Sequence, residues 1–239
     1  MYLKDLDKNK YTLIESDNLN YQYMGRVDFE NPKSPTIIYA GSMIKTKFTG
    51  TSIKVAIKNI HACYENAIGF IIDGNITGKA VIEEHDKDIV LDIADELSEG
   101  LHDLILFKRS DAAHYFDFYG VILEKGCNLD TPAPKSNRRI ECFGDSVSAG
   151  EVSEAVEYVG KSDPEGHEGI YSNSWYSYSM ITARKLGAEI NNNAQGGIAV
   201  LDGTGYFNPS LGYIGLESTY DKLRYSRELG KCNEWDFSR

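Results

Sequence analysis

The chain has 239 residues, 41% hydrophobic and 26% charged, enough for one large or two small folded domains. Its net charge of −11 is spread: residues 1–134 carry 14 basic and 21 acidic side chains, and residues 135–239 carry 11 and 15. That balance excludes a phosphate-backbone partner, so no nucleic acid is expected, and no stretch approaches the roughly 20 apolar residues of a membrane span. The start, MYLKDLDKNKYTLIESDN, lacks the apolar core of a signal peptide. As written the chain reads as cytoplasmic, with secretion open if a signal has been removed. Cys63, Cys127, Cys142 and Cys232 are widely spaced, without a C-x-x-C pair, and read as free thiols, Cys142 being placed in a buried strand.

From about Tyr21 to Leu123 the hydrophobic period is two. MIKTKF alternates, TGT at 49–51 is a fit turn, and TSIKVAIKN sets Ile53, Val55 and Ile57 on one face against Lys54, Ala56 and Lys58. AIGFIIDGNITGKAVIEE predicts a hairpin about Asp73-Gly74. DIVLDIA, GLHDLILFKRS and YFDFYGVILEKG continue the pattern. Seven or eight short strands predict a β-sandwich over residues 1–134, of jelly-roll type. His102, on one of these strands, reads as a structural residue.

CNLDTPAPKSNRR, residues 127–139, carries two prolines and reads as a linker over about 127–137. Beyond it the pattern changes. RIECFGDS predicts a short strand and turn. SNSWYSYSMITARKLG predicts a helix capped by Ser172 or Ser174 and closed by Gly187, with Trp175 and Tyr178 facing a core. AEINNN predicts a second strand ending in AQGG, and STYDKLRYSRELG a second helix capped by Ser218 and stopped at Gly230. Strand, helix, strand, helix is the pattern of a parallel α/β sheet, here over residues 135–239.

Ser146 stands in a turn after the first of these strands, where open α/β sheets place their reactive groups. Small neighbours let a substrate approach, and the Ser146 amide can donate to an oxyanion. The plain alternative is an ordinary Gly-Asp-Ser turn. Asp145 is too close in sequence to act as a triad acid, so its carboxylate is expected to hold the turn.

GDSVSAG after a short strand resembles the first block of the SGNH (GDSL-type) hydrolases. EINNNAQGG resembles a second block, with Gly196 five residues after Asn191. The front half, with YMGRVDFENPKSPTIIYAGSMIKTKFTGTS and GLHDLILFKRS, resembles carbohydrate esterase family two. So do SNSWYSYSMITARKLGAE and GLESTYDKLRYSRELG in the second half. The resemblance runs from about residue 20 to 239. It implies a jelly roll followed by a flavodoxin-like three-layer α/β domain, and removal of acetyl groups from saccharide hydroxyls with no metal or organic cofactor. It implies Ser146 as nucleophile and oxyanion donor, and Gly196, with Gly197 as the fallback, as the second donor. Rival readings are a carbohydrate-binding protein without turnover and a lipid or thioester acyl hydrolase.

Neither the Gly-x-Asn-Asp block nor the Asp-x-x-His block of that family occurs after Ser146. Residues 135–239 offer two strands and two helices, and a parallel sheet buries both faces. The expectation is that only the first half of the catalytic domain is in this chain, with the C-terminal portion as its missing partner. His167, in KSDPEGHEGIYSNS, is a weak substitute for the base and is most simply a loop histidine. The histidines lack ligand spacing, so no metal is expected. Tyr206 and Asp202, in LDGTGYF, are the candidate saccharide contacts.

Overall fold

The computed structural model describes residues 1–61, 66–167, 169–227 and 231–238, so Cys63 and Gly230 lie outside the described residues. The N-terminal part holds twelve strands: β1 (Tyr11–Glu15), β2 (Gln22–Met24), β3 (Val27–Asp28), β4 (Thr36–Ile37), β5 (Met43–Thr49), β6 (Ile53–His61), β7 (Asn66–Ile72), β8 (Ile76–Ile82), β9 (Asp88–Ala94), β10 (Leu101–Lys108), β11 (His114–Glu124) and β12 (Leu129–Asp130). One sheet runs β3-β4-β11-β6-β9 with β1 also on β11. The other runs β12-β5-β10-β7-β8 with β2 on β5. Every pairing within these two sheets is antiparallel.

Alternation explains the sandwich. Ile53, Val55 and Ile57 from one sheet and Ile44, Phe48, Leu104 and Leu106 from the other share one core. The opposite face of β6 is not simply solvated. Ala56 is buried with Leu6, Val90 and Ile122, because the N-terminal segment lies over that face. The β7–β8 hairpin turns through the three residues Asp73, Gly74 and Asn75, the first two with positive φ. The turn at Thr49–Thr51 is not a hairpin: β5 and β6 lie in different sheets, so it carries the chain across the sandwich.

Two further strands, β13 (Arg139–Gly144) and β14 (Glu189–Ala194), pair in parallel with Gly144 opposite Ala194. Helix α1 (Ser146–Ala149) follows β13 directly, and α2 (Tyr178–Leu186) precedes β14. The α2 cap is Ser177, neither Ser172 nor Ser174. Asn173 caps a separate 3-10 turn at Ser174–Tyr176, and the chain is extended at Ser177 before the helix begins. Gly187 closes α2 in the left-handed conformation. Tyr178 is 54% exposed and not a core residue, whereas Trp175 packs against Phe107. Cys142 is half-buried, not buried.

The second expected helix shrinks to the single turn α3 (Leu216–Thr219), preceded by Gly215 and not capped by Ser218. The chain then becomes β15 (Lys222–Arg224), paired with β16 (Asn233–Glu234). Tertiary contacts override helix propensity here. The carbonyls of Tyr220 and Lys222 accept from Arg26 at 2.8 Å each, and Tyr39 Oη also donates to Lys222. Leu223 and Tyr225 are buried on alternate positions beside Ile38, Tyr39, Ala112 and Tyr115.

The parallel pair rests on the sandwich. Met180, Ala183 and Ile190 pack with Met24, Met43, Ile71 and Phe107. Arg26 is fully buried at this junction. It pairs with Glu141 at 2.8 Å and stacks near the rings of Phe143, Trp235 and Phe237. No described helix is long and apolar enough to cross a membrane.

Candidate active site

The parallel register of β13 and β14 decides what meets at their carboxyl ends. Gly144 lies opposite Ala194, and Gln195 N–H donates to the Gly144 carbonyl at 3.0 Å. Ser146 and Gly196 each follow two residues later, so the fold brings the serine and the glycine turn side by side. Ser146 opens α1, where the first backbone N–H groups have no intrahelical acceptor. Asp145 is the helix cap, its Oδ1 accepting from Val147 N at 3.1 Å. Gly150 closes α1 with φ +82°, and a Cβ there would come within 2.7 Å of the Asn173 carbonyl.

The underside of α1 is fastened by short polar links. Ser148 Oγ bonds Tyr178 Oη at 2.8 Å. The Ser148 carbonyl accepts from Asn192 Nδ2 at 2.9 Å and Ser179 Oγ at 3.2 Å. Ala149 and Ala194 pack on Ala40 of the sandwich, three small residues that let the two parts approach closely. The serine is therefore held from below and half-exposed above.

The glycine turn is held as firmly. Ile198 N–H returns to the Gln195 carbonyl at 3.3 Å, and Gly197 takes φ +76°. Gly196 N–H donates to Asp111 Oδ2 at 2.8 Å, and Gln195 Nε2 donates to the same oxygen at 2.6 Å. Tyr225 Oη donates to Gln195 Oε1 at 3.1 Å. Asp111 belongs to the sandwich, between β10 and β11. Sequence reasoning missed it. Its only signal is a charged cluster, KRSD, at the end of an apolar strand, and nothing in the sequence places that cluster against residue 196.

Tyr206 lies on the rim of this turn. Its N–H and that of Phe207 both donate to the Gly197 carbonyl, at 2.7 and 3.0 Å, while its ring is 86% exposed. Asp202 turns into its own loop. Its carboxylate accepts from Ser218 Oγ at 2.5 Å and Gly215 N–H at 2.6 Å, and those two bonds hold it below the usual carboxylate range. His167 Nδ1 accepts from Gly169 N–H at 3.2 Å, in a loop. Among the described residues no group of three His, Cys, Asp or Glu could hold a metal ion.

This arrangement can present a hydroxyl beside backbone N–H groups at the carboxyl end of a parallel sheet. Known proteins share the fold. The Carbohydrate esterase 2 N-terminal family matches residues 23–134. A curated relative, Cellulase/esterase CelE of Acetivibrio thermocellus, is 31% identical over 227 residues, covering 94% of this chain and 25% of the relative. A family two carbohydrate esterase from Clostridium thermocellum, solved in complex with cellohexaose, is 29% identical with a TM-score of 0.75. That match covers 91% of this chain and 62% of the solved one. A family two esterase from Cellvibrio japonicus shares the fold at 20% identity, TM-score 0.76, covering 96% and 64%. The chain thus spans a quarter of the curated relative and about three-fifths of these solved chains. Residues 23–134 carry the Carbohydrate esterase 2 N-terminal domain, and over more than nine-tenths of its length the chain is similar to carbohydrate esterases of family two.

Proposed function

We propose that this chain carries the nucleophile of a serine esterase that removes O-acetyl groups from polysaccharides or oligosaccharides of the xylan or mannan type. The observation that carries the reading is the parallel β13–β14 register, which sets Ser146 at a helix start beside the Gly196–Gly197 turn. Ser146 Oγ attacks the acetyl carbonyl. The sugar hydroxyl leaves, and water then releases acetate from the acyl-enzyme. The Ser146 amide is the first oxyanion donor, and the glycine turn supplies the second. Gly196 N–H is bonded to Asp111, so an oxyanion takes that donor only in exchange for a carboxylate. Each well-placed donor is worth about 3 kcal/mol.

The base and a third donor are placed on polypeptide outside this chain, the C-terminal portion of the same domain. What supports this is the free edge of β13, which among the described residues pairs with β14 alone, together with the missing Asp-x-x-His block. Residues 1–134 and 135–239 are the two units of the proposal. Tyr206 is the proposed saccharide contact, because its ring is open to solvent beside the turn. Asp202 is a weaker one, since its carboxylate is already bonded. No cofactor enters the reaction.

The test pairs an acetyl-ester assay with an intact-mass measurement on the same sample. Hydrolysis that falls on the order of 10⁶-fold in Ser146→Ala supports the nucleophile. A companion polypeptide of about a hundred residues in that sample supports a base supplied in trans. Saccharide binding unchanged in Ser146→Ala, with no hydrolysis in either form, favours a binding protein. Preference for octanoyl over acetyl esters overturns the deacetylase reading.

A further inference from the structure

Two carboxyl groups with no part in the acyl transfer sit at the seam between the sandwich and the site. Asp111 is buried and uses both oxygens as acceptors. Oδ1 takes Ala113 N–H at 3.0 Å, while Oδ2 takes Gln195 Nε2 at 2.6 Å and Gly196 N–H at 2.8 Å. Its loop is anchored by Lys108, whose fully buried ammonium donates to the Ser110 carbonyl at 2.7 Å and to the Asp111 carbonyl. Glu151 comes from the other side, immediately after α1. Its N–H donates to the Ser146 carbonyl at 3.0 Å, and its half-buried carboxyl lies beside that of Asp111. A Cβ on Gly196 would collide with Glu151 Oε1 and come within 2.9 Å of Asp111 Oδ2, so both carboxyls lie over that glycine.

A buried carboxyl and a half-buried one set side by side do not readily both ionise. Asp111 is occupied as an acceptor by three N–H groups, so the shared proton sits on Glu151. Burial first, then Asp111, push Glu151 up to about 8, and Asp145 and Asp163 add to the effect. The nearby cations face elsewhere. Lys108 is turned to carbonyls and is itself pushed down to about 7 by burial, and Arg109 pairs with Glu154. Tyr225 donates to Gln195, and burial first, with Asp111 among the nearby groups, keeps its hydroxyl protonated.

We propose that Glu151 and Asp111 form a one-proton clamp that fastens the end of the nucleophile helix and the glycine turn to the sandwich, making both of them positioning residues for the site. The geometry has three attachments: Asp111 on the turn, Glu151 on the helix, and the proton between them. Losing the proton sets two like charges against each other over Gly196 and loosens serine and turn together. The catalytic consequence rests on the esterase reading above, whereas the clamp itself does not.

The test uses the full chain and three variants, Glu151→Gln, Glu151→Ala and Asp111→Asn, followed by thermal unfolding between about pH 5 and pH 9. Folded Glu151 keeps its proton up to about 8, whereas an ordinary glutamate releases it near 4.5. The folded state therefore holds the extra proton in that window, and stability falls as pH rises through it, levelling above. Glutamine keeps a donor toward Asp111, so Glu151→Gln keeps the clamp and its slope flattens. Glu151→Ala and Asp111→Asn lower the midpoint at pH 6, where the wild-type clamp is closed. Infrared spectra at pH 7 show a protonated carboxyl band that Glu151→Gln lacks. A wild-type slope in Glu151→Gln, or no such band at pH 7, overturns the clamp. Neither readout needs turnover, so a chain without esterase activity leaves the test intact. Where turnover is measured, the alkaline limb of kcat near pH 8 disappears in Glu151→Gln, and an unchanged limb overturns the positioning role.

Discussion

The two parts of the molecule are stabilised in different ways. The sandwich closes on itself, its main cluster running from Tyr21 to Leu129 with contributions from both sheets. The part that carries Ser146 has a two-stranded parallel sheet and, as its longest described helix, the nine residues of α2. Its buried groups lean on the sandwich. Met180 packs on Met24 and Phe107, Tyr225 on Tyr39, and Ala149 and Ala194 on Ala40. One part is a scaffold, and the other is a surface layer that becomes ordered by docking on it. The core and the proposed nucleophile are thus divided between the two, and Ser146 sits on the dependent part.

The most severe way to break that relation is to separate the parts. A polypeptide of residues 135–239 alone is expected to give no cooperative thermal transition, because its described clusters lose the sandwich half of their contacts. Residues 1–134 alone are expected to give one. A cooperative transition in the isolated second part would mean that it has a core of its own. Next in size is Arg26→Ala. It removes a fully buried guanidinium that packs among three aromatic rings and donates to Glu141 and to the carbonyls of Tyr220 and Lys222. Losing the packing and the charge-assisted hydrogen bonds of so large a buried side chain costs about 3–5 kcal/mol, and urea denaturation would show it. Ile57→Ala inside the sandwich is expected to cost about 2–5 kcal/mol through lost burial and a cavity. The two variants differ in location. Arg26→Ala should also raise proteolysis around Tyr220 at low urea, which Ile57→Ala should not.

The same division explains what could be read from the chain of letters. The long strands were legible because each carries its own period: Ile53, Val55 and Ile57 declare the inner face without reference to any neighbour. The short strands β2, β3, β4 and β12 were not, since two or three residues show no period. The places of GDSVSAG and AQGG were legible, because a strand followed by a small-residue turn marks the carboxyl end of a parallel strand. Asp111 and Arg26 were not. Each acts 85 or more residues away along the chain, on Gly196 and Glu141 respectively, and no local pattern encodes that distance. β15 failed for the same reason. STYDKLRYSRELG is a sound helical sequence, yet Lys222–Arg224 within it is a strand, with Arg26 and Tyr39 taking the Lys222 carbonyl and Arg26 that of Tyr220.

The smallest expected effect tests local against borrowed stability within the dependent part. Ser177 accepts from Met180 N–H at 3.4 Å and caps α2, whereas Ser174 donates to the Lys108 carbonyl at 2.6 Å and so binds its turn to the sandwich. The first bond is local to the helix, and the second crosses the seam. Losing a helix cap costs about 1 kcal/mol, and the long distance at Ser177 places this one toward the lower end of that range. Ser174→Ala removes one of two donors to the carbonyl of the fully buried Lys108, which keeps Gly41 N–H at 2.9 Å, a loss of about 1 kcal/mol. Denaturation midpoints of Ser174→Ala and Ser177→Ala, measured side by side, should therefore differ, with the seam serine costing more. If the cap costs more, α2 is held mainly by its own termini, and the second part depends less on the sandwich than its buried contacts indicate.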